Sequence, residues 1–288
     1  MVRLDPPIVT LTTDFGHADV YVGVMKGVIL AIAPRARLVD LTHEVGPQAI
    51  EEAAVKLEAA VPYFPDGTVH LVVVDPGVGG DRRALIVRTA RCVFVAPDNG
   101  VLAEALRADP PLEVEAIDEA ARPCLLPKMS ATFHGRDLFA PVAARLALGA
   151  PPSQFGRPLA ASEIVTLPGS APALDGDALR IPVLYADHFG NLVTALRRTE
   201  WDESAWASAD PATVAFEVGA LRWSGIVATY AAVPVGAPLA YWGSSGRLEI
   251  AVRNGSAAAA MAHTNGEVAI DRPTDHGANK NASRLRDS

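Results

Sequence analysis

The chain is short of cysteine, of basic charge and of long apolar runs, and each shortage excludes a class of protein. Its 288 residues contain two cysteines, Cys92 and Cys124, far apart and outside any C-x-x-C pattern. A disulfide framework is therefore not expected, and a reducing compartment suits the sequence. Both thiols read as small core residues in or near strands. Lysine and arginine total 25 against 33 acidic residues, a net charge of −8, and no basic run stands out. A nucleic-acid binder needs cationic surface to neutralise phosphates, so no nucleic-acid partner is expected. No stretch approaches the roughly 20 apolar residues that cross a bilayer. The run from Ile8 to Leu11 is too brief for the apolar segment of a signal peptide. These features lead us to expect a soluble, cytoplasmic protein with no membrane partner.

Several chemical signatures are missing as well. The histidines, at 17, 43, 70, 134, 188, 263 and 276, show neither H-x-H nor H-E-x-x-H spacing, so no metal site is expected. The serine elbow G-x-S-x-G is absent. The glycine-rich segment at 77–80 is not a P-loop, since no Gly-Lys-Ser/Thr follows. A dinucleotide fingerprint would also require glycine where Arg82 stands.

What remains is a chain with the hydrophobic balance of a globular protein, long enough for one large or two medium domains. Strand-like runs at 8–11, 36–41 and 69–74 alternate with helical patterns at 20–33 and 49–61. A strand pair at 84–88 and 92–95 follows, then helices at 100–106 and 139–148. Alternation of this kind implies an α/β domain with a largely parallel sheet over residues 1–150. Residues 150–178 are rich in Pro, Gly, Ala and Ser and read as a linker or irregular connection. Short strands are expected at 180–185, 192–196, 213–218, 225–228, 239–242 and 247–252, a smaller all-β domain over 179–270. The polar segment 271–288 is expected to be disordered.

In α/β sheets ligands bind beyond the carboxyl ends of strands, and two polar loops fall there. In T-T-D-F-G, Asp14 could accept both hydrogens of a ribose diol, or form an Asx turn or helix N-cap. Asp19 and Tyr21 lie on the next turn and could face the same pocket. In V-V-V-D-P-G-V-G-G-D-R-R, Asp75 opens a loop whose glycines allow close backbone approach to a ligand, or merely a tight turn. His134, in T-F-H-G-R-D, is a candidate proton carrier or a satisfied structural histidine. In the second domain, D-H-F-G-N is either a hairpin turn or a purine site. Phe189 would give it a stacking face, and Asn191 a donor and an acceptor. W-G-S-S-G offers two hydroxyls, Ser244 and Ser245.

Taken in order, T-T-D-F-G, V-D-P-G-V-G-G-D-R-R, A-P-D-N-G, T-F-H-G-R-D, D-H-F-G-N and S-S-G-R-L-E-I-A resemble the S-adenosylmethionine hydroxide adenosyltransferase family, relatives of the fluorinases and chlorinases. The resemblance runs over roughly residues 8–270. It implies hydrolysis of S-adenosylmethionine to adenosine and methionine, with no cofactor. An Asp–Arg–His set handling the water is implied at Asp75, Arg82 and His134, with Arg83 the neighbouring choice of arginine. The resemblance further implies that Asp14 holds the ribose hydroxyls and that Phe189 and Asn191 meet adenine. It puts Asp19, Asp187, Ser244 and Ser245 near the methionine portion or the ribose. It leaves Asp98 and Asn99 without a contact. A homotrimer with substrate sites at subunit interfaces is implied too. The halogenating relatives carry a long insertion between the glycine loop and A-P-x-N-G; here residues 84–95 alone separate them, which favours water over halide. The rival readings are a halide-using adenosyltransferase and a non-catalytic binder of S-adenosylmethionine or adenosine.

Overall fold

A computed structural model describes residues 4–167, 171–175, 178–204, 206–261 and 267–271. The expected disordered tail lies, from residue 272 on, outside them. The chain divides into two compact units, residues 1–168 and 169–288. The stretch 151–168, read from composition as part of a connection, thus belongs to the first unit.

The first unit contains, in order, β1 (Ile8–Thr13), α1 (Tyr21–Ile32), β2 (Arg37–Thr42), α2 (Ile50–Ala60), β3 (Val69–Val73), β4 (Ala84–Arg88) and β5 (Val93–Pro97). It continues with α3 (Ala103–Ala108), β6 (Glu113–Ile117), α4 (Ala140–Ala147) and β7 (Gly156–Pro158). Its sheet has the order β2-β1-β3-β5-β4-β6-β7. The run β2-β1-β3-β5 is parallel, and β4, β6 and β7 extend it antiparallel. β3 is V-H-L-V-V and wholly buried, as a central strand covered on both faces must be. Val69, Leu71 and Val73 join the core under α1 and α4, while Val72 and Val74 join the one under α2 and α3. Pro34 stops α1 at Ile32 because proline cannot continue the hydrogen-bond ladder. Glu51 and Glu52 sit in the first turn of α2, where the helix dipole favours negative charge. The expected strand pair is a tight antiparallel hairpin, its turn held by Thr89, whose amide bonds the Cys92 carbonyl at 3.0 Å. β6 and β7 were not expected: β6 is an alternating E-V-E-A-I and β7 has only three residues.

The second unit contains β8 (Ala173–Asp175), β9 (Ala178–Ala186), β10 (Leu192–Arg197), α5 (Arg198–Glu203), β11 (Ala215–Val218), β12 (Leu221–Ser224), β13 (Pro238–Trp242), β14 (Arg247–Val252) and β15 (Glu267–Asp271). Its antiparallel sheet runs β12-β11-β15-β9-β10-β14-β13, with β8 on β9. The strand expected at 225–228 is not formed. Gly225 turns the chain with a φ of 95°, and Ile226 makes one isolated bridge to Ala240. The apolar pattern there marks residues that cover the core without joining the ladder. No helix among the described residues is long and apolar enough to cross a membrane.

Candidate active site

Parallel pairing of β1 and β3, with Thr13 opposite Val73, brings both strand ends to one edge of the first sheet. Asp14 and Asp75 therefore emerge side by side. They share a cleft of about 370 Å³ with Phe15, Tyr21, Gln48, Pro76 and Val78. Asp14 accepts the backbone N–H of Gln48 on Oδ2 at 2.8 Å. Gln48 sits at a φ of 64°, a left-handed conformation uncommon for residues other than glycine. Backbone strain of this sort collects where a fold fixes a ligand-facing group. Asp19 stays on the exposed loop after Gly16 and does not line this cleft. Tyr21 does, with its ring 5.8 Å from Phe15 and 5.3 Å from Phe133.

Asp75, Arg82 and His134 form one bonded set. Arg82 Nε donates to both Asp75 oxygens, at 2.9 and 3.0 Å, and its Nη2 donates to Oδ2 at 2.5 Å. The same Nη2 lies 2.8 Å from His134 Nδ1. The guanidinium rests 5.3 Å from the centroid of the buried Phe139 ring. Arg83 turns elsewhere, to Asp98 at 2.6 Å and to the Glu163 carbonyl. Of the two adjacent arginines, Arg82 is the one joined to Asp75 and His134. Asp98 and Asn99 acquire roles as well. Asp98 anchors Arg83 and accepts the Val165 amide, and Asn99 Nδ2 donates to the Val74 carbonyl at 2.8 Å, bracing the strand end beside Asp75.

Arginine has no lone pair to offer, so its contact with Nδ1 requires that nitrogen to be unprotonated. His134 is then the neutral tautomer with hydrogen on Nε2. Burial first, and the Arg82 charge second, hold its pKa below the usual histidine range, against the opposite pull of Asp75 and Asp137. The loop carrying His134 is fixed from two sides. Asp137 is buried and binds Arg136 at 2.6 Å and the Ser130 amide at 2.7 Å. Gly79, at a φ of 78°, lies against the Ala131 carbonyl, where any side chain would collide.

In the second unit Asp187 and Asn191 form a closed turn. Asp187 Oδ1 accepts the amides of Phe189 and Asn191, each at 2.8 Å, and Oδ2 accepts Asn191 Nδ2 at 2.9 Å. Gly190 holds a φ of 79° with Ser256 pressed against it. Phe189 is 74% exposed, with its ring 5.5 Å from that of His188 in a T-shaped contact. Ser244 and Ser245 occupy the exposed turn between β13 and β14. Three residues given no role in the sequence reading join this group: Tyr230, Tyr241 and Glu249. Tyr230 receives a bond from Asn191, and Tyr241 links it to Glu249. Tyr241 and Glu249 are directly opposite across β13 and β14, a pairing no linear motif reveals. Burial foremost, then the bond to Glu249, drives the Tyr241 phenol far above its ordinary pKa; burial and the Asp187 charge raise that of Glu249.

Among the described residues no cluster of His, Cys, Asp and Glu is arranged to hold a metal ion. The fold and site together define an α/β protein with a bonded Asp–Arg–His set at the carboxyl edge of its sheet. Family models for the SAM hydroxide adenosyltransferase N-terminal domain and C-terminal domain match residues 9–156 and 181–269. The chain belongs to the SAM hydroxide adenosyltransferase family. It is 41% identical over 256 residues to the (R)-S-adenosyl-L-methionine hydrolase of Thermus thermophilus, covering 86% of this chain and 93% of that protein. It is 39% identical to the protein of that name from Salinispora arenicola, over 91% of this chain and 96% of the relative. A fluorinase from Actinoplanes is 28% identical over 85% of this chain and 90% of its own length. Among solved structures, an uncharacterized conserved protein from Thermotoga maritima superposes with a TM-score of 0.81 at 36% identity, over 92% of this chain and all of that one.

Proposed function

We propose that this protein hydrolyses S-adenosyl-L-methionine to adenosine and L-methionine. The observation that carries the reading is Asp75 beside Asp14 in one cleft, bonded through Arg82 to His134, in a chain that resembles named hydrolases more than fluorinases. A water oxygen bonds to ribose C5′ while the C5′–S bond breaks, and its electron pair stays on sulfur as the sulfonium becomes a neutral thioether. The water gives up one proton on the way to the adenosine hydroxyl. Substrate and water balance the reaction without a cofactor.

The residues divide this work. Holding the water in line with C5′ is worth roughly 7–11 kcal/mol when reacting atoms are kept in near-attack geometry. The His134 Nδ1 lone pair is committed to Arg82, which makes Asp75 the group to take the proton, through lone pairs its arginine leaves open. Arg82 stabilises the developing hydroxide, and His134, with hydrogen on Nε2, orients rather than accepts. Asp14 grips the ribose diol. Phe189 and Asn191 meet adenine, while Asp19, Asp187, Ser244 and Ser245 serve the methionine portion or the ribose. We further propose a cytoplasmic homotrimer with its substrate sites at subunit interfaces, for which sedimentation should return three chain masses.

The relatives' name specifies the R configuration at sulfur, a distinction the sequence motifs do not carry. Turnover of the separate sulfonium epimers in oxygen-18 water tests both points. Adenosine labelled at its 5′ oxygen, formed faster from the R epimer, is the expected result. Unlabelled or halogenated nucleoside in chloride buffer would overturn water attack, and bound but intact substrate would leave a binding protein.

A further inference from the structure

A single hydrogen-bonded chain crosses the second unit from Glu249 to Asp187. Glu249 accepts from the Tyr241 hydroxyl. The Tyr241 and Tyr230 hydroxyls lie 2.5 Å apart, and Asn191 Nδ2 is 3.1 Å from the Tyr230 oxygen and 2.9 Å from Asp187 Oδ2. The direction of every bond follows from its ends. An amide nitrogen only donates, so Tyr230 accepts from Asn191; the single Tyr241 hydrogen goes to Glu249, so the hydrogen shared by the two hydroxyls is that of Tyr230. Both hydrogens of the Asn191 amide are thereby consumed, one by Asp187 and one by Tyr230. No described hydrogen bond reaches Asn191 Oδ1, and this oxygen is what the residue has left to present.

The fold supports this chain at both ends. Tyr241 is buried and cross-strand to Glu249. The Glu249 carboxylate lies against Gly243, where a side chain would displace it. Gly243 is thus needed for space beside a carboxylate, and the W-G-S-S-G motif has a role apart from its serines. The acceptor-and-donor character assigned to Asn191 from sequence narrows to acceptor alone.

We propose that Tyr241 and Glu249 are positioning residues that act through the Tyr230 hydroxyl to lock Asn191 with its oxygen outward, so that this corner selects a ligand carrying a hydrogen-bond donor, the amino group of a 6-aminopurine, over a 6-oxopurine. The proposal rests on the hydrolase reading for the identity of the ligand. Its geometry belongs wholly to the second unit.

The test compares S-adenosylmethionine with its 6-oxo counterpart, S-inosylmethionine, in steady-state turnover by the full-length protein. Adenosine and inosine binding, measured by calorimetry, accompany it. The wild-type protein should prefer the aminopurine in both assays. Tyr241→Phe should raise KM for S-adenosylmethionine and shrink the preference by roughly ten-fold, the worth of one good hydrogen bond, while kcat stays within about two-fold. Glu249→Leu should do the same. Glu249→Gln keeps an acceptor oxygen for Tyr241 and should restore the preference, which a purely structural role would not predict. Variants that keep the wild-type preference, or lose kcat on both substrates equally, overturn the positioning role and leave the hydrolase reading intact. A wild-type protein that binds neither nucleoside and turns over neither substrate removes both together. Should Tyr241→Phe fail to fold, the Glu249→Gln and Glu249→Leu pair decides the question.

Discussion

The two units build polar sites by opposite means. In the first, a parallel sheet delivers its chemistry at strand ends: Asp14 and Asp75 are neighbours because β1 and β3 run side by side in register. In the second, polar residues on an antiparallel sheet and its turns are joined by hydrogen bonds among Glu249, Tyr241, Tyr230 and Asn191. Strand ends place charged groups together in an open cleft, where they can meet water and a cationic substrate. A chain of hydroxyls gives no charge to the reaction; it fixes the direction in which one amide points. The first arrangement suits making and breaking bonds, and the second suits reading a ligand.

If that division is right, substitutions in the first unit should strike kcat and those in the second KM. Arg82→Ala should show the largest effect, a fall in kcat of about 10²–10⁴-fold in single-turnover assays. Arg82→Lys should not restore it, since an ammonium cannot supply the fork that holds both Asp75 oxygens. Asp14→Ala should weaken substrate binding by ~1.5–3 kcal/mol, the worth of a hydrogen bond to a charged group, and calorimetry on the intact substrate checks this. An unchanged affinity would remove Asp14 from the site.

A difference in acid stability should also separate the units. His70 is fully buried in β3, bonded to Thr10 and stacked on Phe94, and burial pushes its pKa down to about 4. The unfolded chain takes up a proton near the ordinary histidine value, while the folded chain resists until about pH 4. Stability from this residue is therefore complete above pH 6.5 and is lost as pH falls toward 4, by roughly 3 kcal/mol in all. The tryptophans, Trp201, Trp206, Trp223 and Trp242, all belong to the second unit. On acidification, helical circular dichroism should be lost before tryptophan fluorescence shifts. Coincident transitions would show that the units unfold as one. The smallest effect should come from Arg198→Ala, which removes an exposed guanidinium 5.7 Å from the Trp242 ring and should cost about 0.5–1 kcal/mol in urea titration.

Legibility in the sequence followed how local each cause is. Helix α1 was legible because its apolar run is closed by Pro34, and β3 because five consecutive residues suit burial on both faces. β6 was not expected although E-V-E-A-I alternates: the run is only five residues long, and its place between β4 and β7 comes from its partners. Asp75, Arg82 and His134 stood out as motifs, and the family resemblance favoured Arg82, with Arg83 the neighbouring choice. Their separation came from Asp98 and Glu163, which draw Arg83 away. Tyr230, Tyr241 and Glu249 were not singled out, although Glu249 lies in S-S-G-R-L-E-I-A, because strand pairing and side-chain bonds are what join them.

The sequence by itself determined the alternation of strands and helices, the glycines that permit left-handed turns, and the polar residues at strand ends. These depend on backbone sterics and burial periodicity, which act over a few residues. The tertiary structure alone decided what draws Arg83 away from Asp75, which nitrogen of His134 carries the proton, and which partners hold the Asn191 amide nitrogen. Each of those depends on hydrogen-bond partners supplied by distant parts of the chain, because an isolated side chain has no preferred direction until its neighbours commit their donors and lone pairs.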